Sequence, residues 1–85
     1  MDDILNKVIQ VSGATLEEII SPCRKQKLVA ARLLFVLKAC KQHYHPTEIG
    51  EKIDRKRPTI INIRNGKYKP SSEYFVLLRL YDSIQ

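Results

Sequence analysis

A long stretch without glycine or proline, residues 25–42, limits the folds open to this chain of 85 residues more than any other feature. Its middle, LVAARLLFVLKAC, is apolar almost all the way round a helix. Only a helix that is surrounded by others can bury such a surface, so the stretch predicts a long central helix. No alternating strand pattern, internal repeat or low-complexity tract occurs. We therefore expect one all-α domain over residues 1–85, with about six helices.

Two short helices are predicted before the central one. The first begins with Asp2, whose negative charge suits a helix N-terminus, and ends near Gly13. The second begins at Thr15, because Thr15 and Glu18 have the spacing of a capping box. It ends before Pro22, which cannot continue it.

Three more helices are predicted after the central one. Pro46 suits the first position of a helix that runs to about Ile53. Pro58 is expected to begin the next helix, and Gly66 to end it in a left-handed conformation. An apolar stripe at helical spacing predicts a closing helix at about 72–84.

The net charge of +6 is distributed unevenly along the chain. Residues 22–69 hold thirteen lysines and arginines against three acidic residues, a net +10, whereas residues 1–21 carry −3 and residues 70–85 carry −1. Clustered positive charge of this kind suits a polyanionic partner such as nucleic acid. The middle of the chain is therefore predicted to bind double-stranded DNA.

Residues 46–66 have the pattern of a helix-turn-helix, in which the first helix supports a second that enters the major groove. A helical projection at about 100° per residue divides the second helix into two faces. The inward face is predicted to carry Ile60, Ile61 and Arg64. The outward face is predicted to carry Thr59, Asn62, Ile63 and Gly66.

Three side chains of the outward face suit base recognition. Asn62 can make a two-point contact with an adenine edge, and Thr59 and Ile63 can place methyl groups against thymine. For Gly66, the alternative to a close approach of the backbone to DNA is a plain role as a helix cap.

Two basic clusters suit phosphate contacts. Arg57 is expected at the cap position of the second motif helix, where its side chain cannot accept hydrogen bonds from the free N–H groups. A DNA phosphate is expected there, held also by Arg55 and Lys56, with water as the alternative in the free protein. The other cluster, residues 24–27, is expected to reach an adjacent minor groove, and its alternative is a solvated helix start. The full set of predicted DNA-binding residues is Arg24, Lys25, Lys27, Arg55, Lys56, Arg57, Thr59, Asn62, Ile63 and Lys67.

Five segments together resemble the C-terminal DNA-binding domain of the bacterial replication initiator DnaA. They are VSGATLEEIIS, CRKQKLVAARLL, TEIGEKI, KRPTII and SSEYFVLLRLYDSI, and they span most of the chain. The resemblance implies a helix-turn-helix that binds DNA together with a basic loop, and a role in DNA replication initiation or its regulation. It also implies backbone and base contacts for Lys56 and Thr59, a buried Ile61, and a minor-groove contact for Arg24.

The chain departs from the family signature, which has the form G-G-[RK]-D-H-[ST]-T-V. Arg57 and Pro58 stand where the signature has Asp-His, so the family's target sequence is not expected. The chain also lacks the G-x-x-x-x-G-K-[ST] phosphate loop of the initiator's ATPase module. No nucleotide cofactor is therefore expected.

Other binding functions remain open. The segment IRNGKYKPSSEYFVLLRL is also similar to repressor-type helix-turn-helix domains, which would make the protein a regulator of transcription. A basic adaptor that binds no nucleic acid would use Tyr74, Phe75 and Tyr81 to hold an acidic partner. The last helix can also serve as a homodimer contact. RNA is a lesser option, because the basic region has too few tyrosines for a stacking platform.

Catalytic, metal-binding and membrane functions are not expected. The acidic residues and histidines are scattered over separate predicted helices without a catalytic motif. Cys40, His43 and His45 have no obvious fourth zinc ligand. The longest apolar run, residues 33–37, is too short to span a membrane, and no signal-peptide pattern opens the chain. The sequence therefore predicts a cytoplasmic protein with reduced cysteines and no cofactor.

Overall fold

The computed structural model describes residues 1–84, which form six α-helices and no strand. In chain order the helices are α1 (Asp2–Ser12), α2 (Leu16–Ile20), α3 (Gln26–Lys41), α4 (Pro46–Ile53), α5 (Arg57–Arg64) and α6 (Ser72–Ser83). This confirms the predicted all-α class and the predicted number of helices. Within the described residues, every helix is too short or too polar to cross a membrane.

Helix α3 is the centre of the domain, because all five other helices pack against it. Five of its side chains, those of Ala31, Leu34, Phe35, Val36 and Ala39, are completely enclosed. The buried residues of α3 are Leu28, Ala30, Ala31, Arg32, Leu33, Leu34, Phe35, Val36 and Ala39. The nearly uniform apolar pattern of this segment is thus explained by neighbours on most of its sides.

Local signals define the boundary between α1 and α2. Gly13 ends α1 with φ of 70°, a left-handed conformation that favours glycine. At the start of α2, the N–H of Glu18 donates to Oγ1 of Thr15 (3.1 Å), and the N–H of Thr15 donates to Oε1 of Glu18 (3.0 Å). This reciprocal pair is the capping box that the sequence predicts.

Helix α5 ends in a Schellman motif. Gly66 has φ of 83°, and its N–H donates to the carbonyl oxygen of Ile63 (3.0 Å). The N–H of Lys67 donates to the carbonyl oxygen of Asn62 (2.8 Å). The predicted left-handed end of this helix is therefore confirmed, and Gly66 acts in it as a cap.

Helix α5 begins one residue earlier than the sequence predicts. Arg57 is its first residue, Pro58 its second, and Lys56 is the cap residue. Proline fits either of these first positions, because the N–H groups there have no partner inside the helix. The prediction that Arg57 is the cap is therefore wrong, although the cap residue is again a cation that cannot accept a hydrogen bond.

Helices α4 and α5 pack against each other across the short turn of residues 54–56. Asp54 has φ of 53°, and the N–H of Arg55 donates back to the carbonyl oxygen of Gly50 (2.8 Å). The turn folds so closely over α4 that a Cβ atom on Gly50 would overlap the carbonyl oxygen of Arg55. Glycine at this position therefore allows the close approach of the turn to α4.

Replacing Gly50 by alanine tests this close approach. Alanine favours a helix over glycine by about 1 kcal/mol, but the added Cβ must displace a backbone carbonyl, so that we expect an overpacking cost in the upper part of the usual range, about 2–3 kcal/mol. We expect Gly50→Ala to lower the free energy of unfolding by about 1–2 kcal/mol net in urea titrations. Glu51→Ala, at the exposed next position, is the matched control and should stay within about 0.5 kcal/mol of wild type. A Gly50→Ala protein as stable as wild type would contradict the close packing of the turn on α4.

Candidate nucleic-acid interface

The carbonyl end of α2 is covered by a buried arginine. This helix has only five residues, and its last carbonyl groups have no partner within it. Arg32 comes from α3, is 8% exposed, and donates from Nε to Ile19 (2.6 Å) and from Nη2 to Glu18 (3.0 Å). The same guanidinium donates from Nη2 to Ser21 and from Nη1 to Cys23, both at 2.7 Å. Since all four acceptors are backbone carbonyls, Arg32 fixes the end of α2 to α3.

A second arginine reaches the same place from the α4–α5 turn. Arg55 donates from Nη1 to the carbonyl oxygen of Ile20 (3.0 Å) and from Nη2 to that of Ser21 (2.7 Å). Its Nη1 also lies 3.1 Å from the carbonyl oxygens of Ile53 and Asp54. One guanidinium therefore binds the carbonyl ends of both α2 and α4.

Arg55 is predicted as a phosphate ligand, and in the structure its guanidinium donates to carbonyl groups of the protein. Its side chain is half-buried and engaged with backbone carbonyls. Burial, together with the nearby charge of Arg55, lowers the pKa of Arg32. Within residues 1–84 neither arginine forms an ion pair with a carboxylate. Their charges are instead stabilised by the carbonyl dipoles at the helix ends.

An exposed basic segment lies between α2 and α3. Arg24 is exposed in the loop, Lys25 is the cap residue of α3, and Lys27 lies in the first turn of α3. The two lysines are near Glu18, whose pKa is lowered mainly by a backbone hydrogen bond and also by the charges of Lys27 and Lys25. In the part of the chain that the structure describes, none of these three cations forms a salt bridge.

A second exposed basic pair, Lys56 and Arg57, lies at the start of α5. At this helix end Pro58 has no N–H, and the N–H of Thr59 donates to the carbonyl oxygen of Lys56 (3.1 Å). Among the described residues, only the N–H of Arg57 is therefore left without an acceptor there. Neither cation forms a salt bridge with another residue of the range 1–84. The positive end of the helix dipole and two side-chain charges therefore add at one place.

The structure brings the two basic segments next to each other. Arg24 and Arg55 line the same surface depression, which has a volume of about 620 Å³. Lys56 directly follows Arg55 in the chain. The loop that carries Arg24 and the turn that precedes Lys56, about 30 residues apart in the sequence, thus meet at one depression, which Arg32 and the carboxylate of Asp54 also line.

The exposed face of α5 is rotated relative to the helical projection. Ile60 is completely buried and Ile63 packs against the core, whereas Ile61 is half-buried outside that core. The predictions that Ile63 points outward and Ile61 inward are therefore wrong. Residues 60 and 63 are the i and i+3 pair that faces α3, and this pairing is the signal that the projection missed. Thr59 and Asn62 are exposed, as predicted.

Thr59, Arg64 and Lys67 are three more residues on or near the exposed face of α5. Thr59 is at an apolar depression of about 240 Å³ that is also lined by Ile63 and Tyr68. Arg64, which the projection predicts on the inward face, is exposed, because the buried face of α5 is centred on Ile60 and Ile63. Lys67 is exposed just after the end of α5.

The aromatic residues of α6 do not form the surface predicted for an adaptor. Tyr74 and Tyr81 are each 8% exposed and belong to the core, whereas Phe75 is 54% exposed. Val76 and Leu80 are the other exposed large apolar residues of this helix. Two of the three predicted contact residues are therefore inaccessible to a partner.

The described residues contain no group of three or more His, Cys, Asp or Glu side chains that could hold a metal ion. His45 instead caps α4, since its Nδ1 accepts a hydrogen bond from the N–H of Thr47 (3.1 Å). Cys23 and Cys40 are both free thiols, and burial raises the pKa of Cys40.

No protein-family model, curated protein or solved structure matches this chain. The resemblance to the DnaA C-terminal domain therefore rests on the sequence segments alone.

The orientation of α5 can be tested with two substitutions of the same kind. Ile63→Ala removes a side chain that packs on the core, and we expect the free energy of unfolding to fall by about 1–2 kcal/mol, less than for a fully buried isoleucine. Ile61→Ala is the matched control and should cost about 1 kcal/mol less than Ile63→Ala, because Ile61 is half-buried like Ile63 but does not pack against the core. Urea unfolding of the two variants measures the difference. A larger loss for Ile61→Ala would show that Ile61, and not Ile63, faces the core.

Proposed function

We propose that this protein binds double-stranded DNA through α4, α5 and residues 24–27. The observation that carries the proposal is the pair of exposed basic segments, residues 24–27 and 56–57, that form no salt bridge within the described chain. Duplex DNA carries one negative charge per about 1.7 Å of its axis, so a surface of this kind gains affinity by releasing counterions.

The size and position of α5 suit the major groove. Its eight residues make a helix about 12 Å long, close to the width of the groove. Ile60 and Ile63 hold the helix on the core and leave Asn62 outward. In the proposed complex Asn62 pairs with an adenine edge, and Thr59 and Ile61 offer methyl groups to neighbouring thymines.

Phosphate contacts orient α5 in this complex. The N–H of Arg57, with the side chains of Lys56 and Arg57, binds one phosphate at the start of α5. Lys67 lies beyond the other end of α5 and binds a second one. Residues 24–27 lie along the neighbouring backbone, with Arg24 entering the minor groove, where narrow A·T stretches attract arginine.

The resemblance to the DnaA C-terminal domain favours DNA replication initiation or its regulation as the process. A repressor-type role in transcription would use the same surface of the protein. Selecting bound sequences from a random duplex pool separates the two roles. An A·T-rich box supports the replication role, whereas a palindrome supports a dimeric repressor. The adaptor alternative has less support, because Tyr74 and Tyr81 are buried.

Binding to duplex DNA should weaken steeply as salt rises. Six exposed cations belong to the proposed surface, namely Arg24, Lys25, Lys27, Lys56, Arg57 and Lys67. If most of them contact phosphates, the logarithm of Kd rises with the logarithm of salt concentration with a slope of about 4–5. Fluorescence anisotropy of a labelled duplex between about 50 and 200 mM KCl measures this slope.

The control for net charge is Arg79→Gln, which removes one exposed positive charge on α6. Because Arg79 is outside the proposed surface, this variant should bind within about twofold of wild type and keep the same slope. A salt-independent Kd, or no binding at low salt, would reject the DNA-binding function.

Two variants should distinguish a residue that positions the protein on DNA from a residue that recognises a base. We expect Lys56→Gln to weaken binding to all sequences alike, by about fivefold, and to lower the salt slope by about 1, because one phosphate contact is lost. Asn62→Ala should keep the slope and lose about 1–3 kcal/mol of discrimination at one base pair. Titrations with a duplex set that varies one base pair at a time measure both effects. Equal effects of the two variants on affinity and sequence preference would contradict these roles.

A further inference from the structure

We propose that Arg55 is a positioning residue that holds residues 24–27 at a fixed place relative to the start of α5, so that both basic segments contact one duplex. This inference rests on the proposed DNA-binding function. It assigns Arg55 a role different from that of the exposed cations, which contact phosphates directly.

Arg55 joins the end of α2 to the α4–α5 turn through hydrogen bonds between residues that are far apart in the sequence. Its Nη1 and Nη2 donate to Ile20 and Ser21, which are 35 and 34 residues away in the sequence. Ser21 lies three residues before Arg24, and Lys56 directly follows Arg55. Among the described residues, the guanidinium of Arg55 therefore links the loop that carries Arg24 to the turn that carries Lys56 by hydrogen bonds.

The end of α2 needs such a link, because the helix is very short. Five residues are far below the roughly 12–15 that an isolated helix needs for stability in water. Arg32 attaches the end of α2 to α3, and Arg55 attaches it to the α4–α5 turn. Both arginines donate to the carbonyl oxygen of Ser21 at 2.7 Å, so the start of the basic loop is held from two directions.

Arginine is specifically suited to this role. Arg55 contacts four carbonyl oxygens at 2.7–3.1 Å, those of Ile20, Ser21, Ile53 and Asp54. The planar guanidinium fork presents several N–H donors in fixed directions, whereas a lysine ammonium is a single point charge. Arg55→Lys therefore keeps the charge but loses most of the bridge between α2 and the turn.

A double-mutant cycle in duplex binding tests the inference. At one low salt concentration, Arg24→Gln should weaken DNA binding about fivefold in the wild-type background but less than about twofold in the Arg55→Lys background. Without the bridge Arg32 still attaches the loop to α3 through Ser21 and Cys23, but the loop is no longer fixed relative to the start of α5, so that Arg24 contributes less there. Lys56→Gln is the matched cycle and should weaken binding by the same factor in both backgrounds, because Lys56 is the cap residue of α5 and does not depend on the loop.

The alternative is that Arg55 contacts a phosphate directly. Arg55→Lys would then bind nearly as well as wild type, and the effects of Arg24→Gln and Arg55→Lys would be additive. That result would overturn the positioning role while leaving the DNA-binding function intact. Failure of the wild-type protein to bind DNA would instead reject the proposed function and this inference with it.

Amide hydrogen exchange provides a readout that does not need DNA. We expect Arg55→Lys to increase the exchange rate of amides in residues 21–25 and to leave those of α1 and α6 unchanged. Unchanged exchange in residues 21–25 would overturn the inference. If Arg55→Lys does not fold, Arg55→Gln, which retains an amide donor for one carbonyl, is measured in the same way and with the same expected results.

Discussion

The rest of the structure depends on the hydrogen bonds that the buried guanidinium of Arg32 donates to the end of α2. A charge that is 8% exposed is stable only when its donors are satisfied, and in this domain the partners are four carbonyl oxygens at the end of α2. Because α3 is enclosed by the other helices, the position of Arg32 is fixed, and the end of α2 must come to it. The loop that follows α2 and the α4–α5 turn, which reaches the same carbonyl groups through Arg55, are placed in consequence.

Because of these contacts, not every cation in the middle of the chain is available to a partner molecule. Four of these cations have partners within the protein. Arg32 and Arg55 donate to carbonyl groups. Lys38 pairs with Asp82 at 2.9 Å, and Lys52 pairs with Asp2. Of the nine other cations in residues 22–69, all exposed, five lie at residues 24–27 and at the start of α5, and the other four are Lys41, Arg64, Lys67 and Lys69. A net charge indicates a class of partner, but only the cations without a role inside the fold are available to contact one.

The DNA-binding proposal therefore depends on the site and not on the fold. Small all-α domains with consecutive short helices serve many functions, and a fold alone does not determine one. What supports DNA binding is the combination of an uncapped helix N-terminus, adjacent exposed cations, and a helix of about the length of the major groove. Pro58, which departs from the DnaA signature, is compatible with the start of α5, because the N–H that it lacks would have no partner inside the helix, and the N–H of Arg57 remains available to a phosphate.

The sequence by itself determined the helices and most of their ends, because these depend on local chemistry. The capping box of Thr15, the left-handed glycines at 13 and 66, and Pro46 at the start of α4 act within a few residues of the chain. Only the tertiary structure decided which side of α5 faces the core and which arginines remain available. Ile61 and Ile63 are equivalent in hydrophobicity, and the position of α3 selects Ile63 for burial. Arg55 and Lys56 are likewise adjacent cations, yet only Arg55 meets the carbonyl groups of α2, because those groups come from a segment 34 residues away. Contacts of that range depend on the packing of the whole domain and leave no local pattern in the sequence.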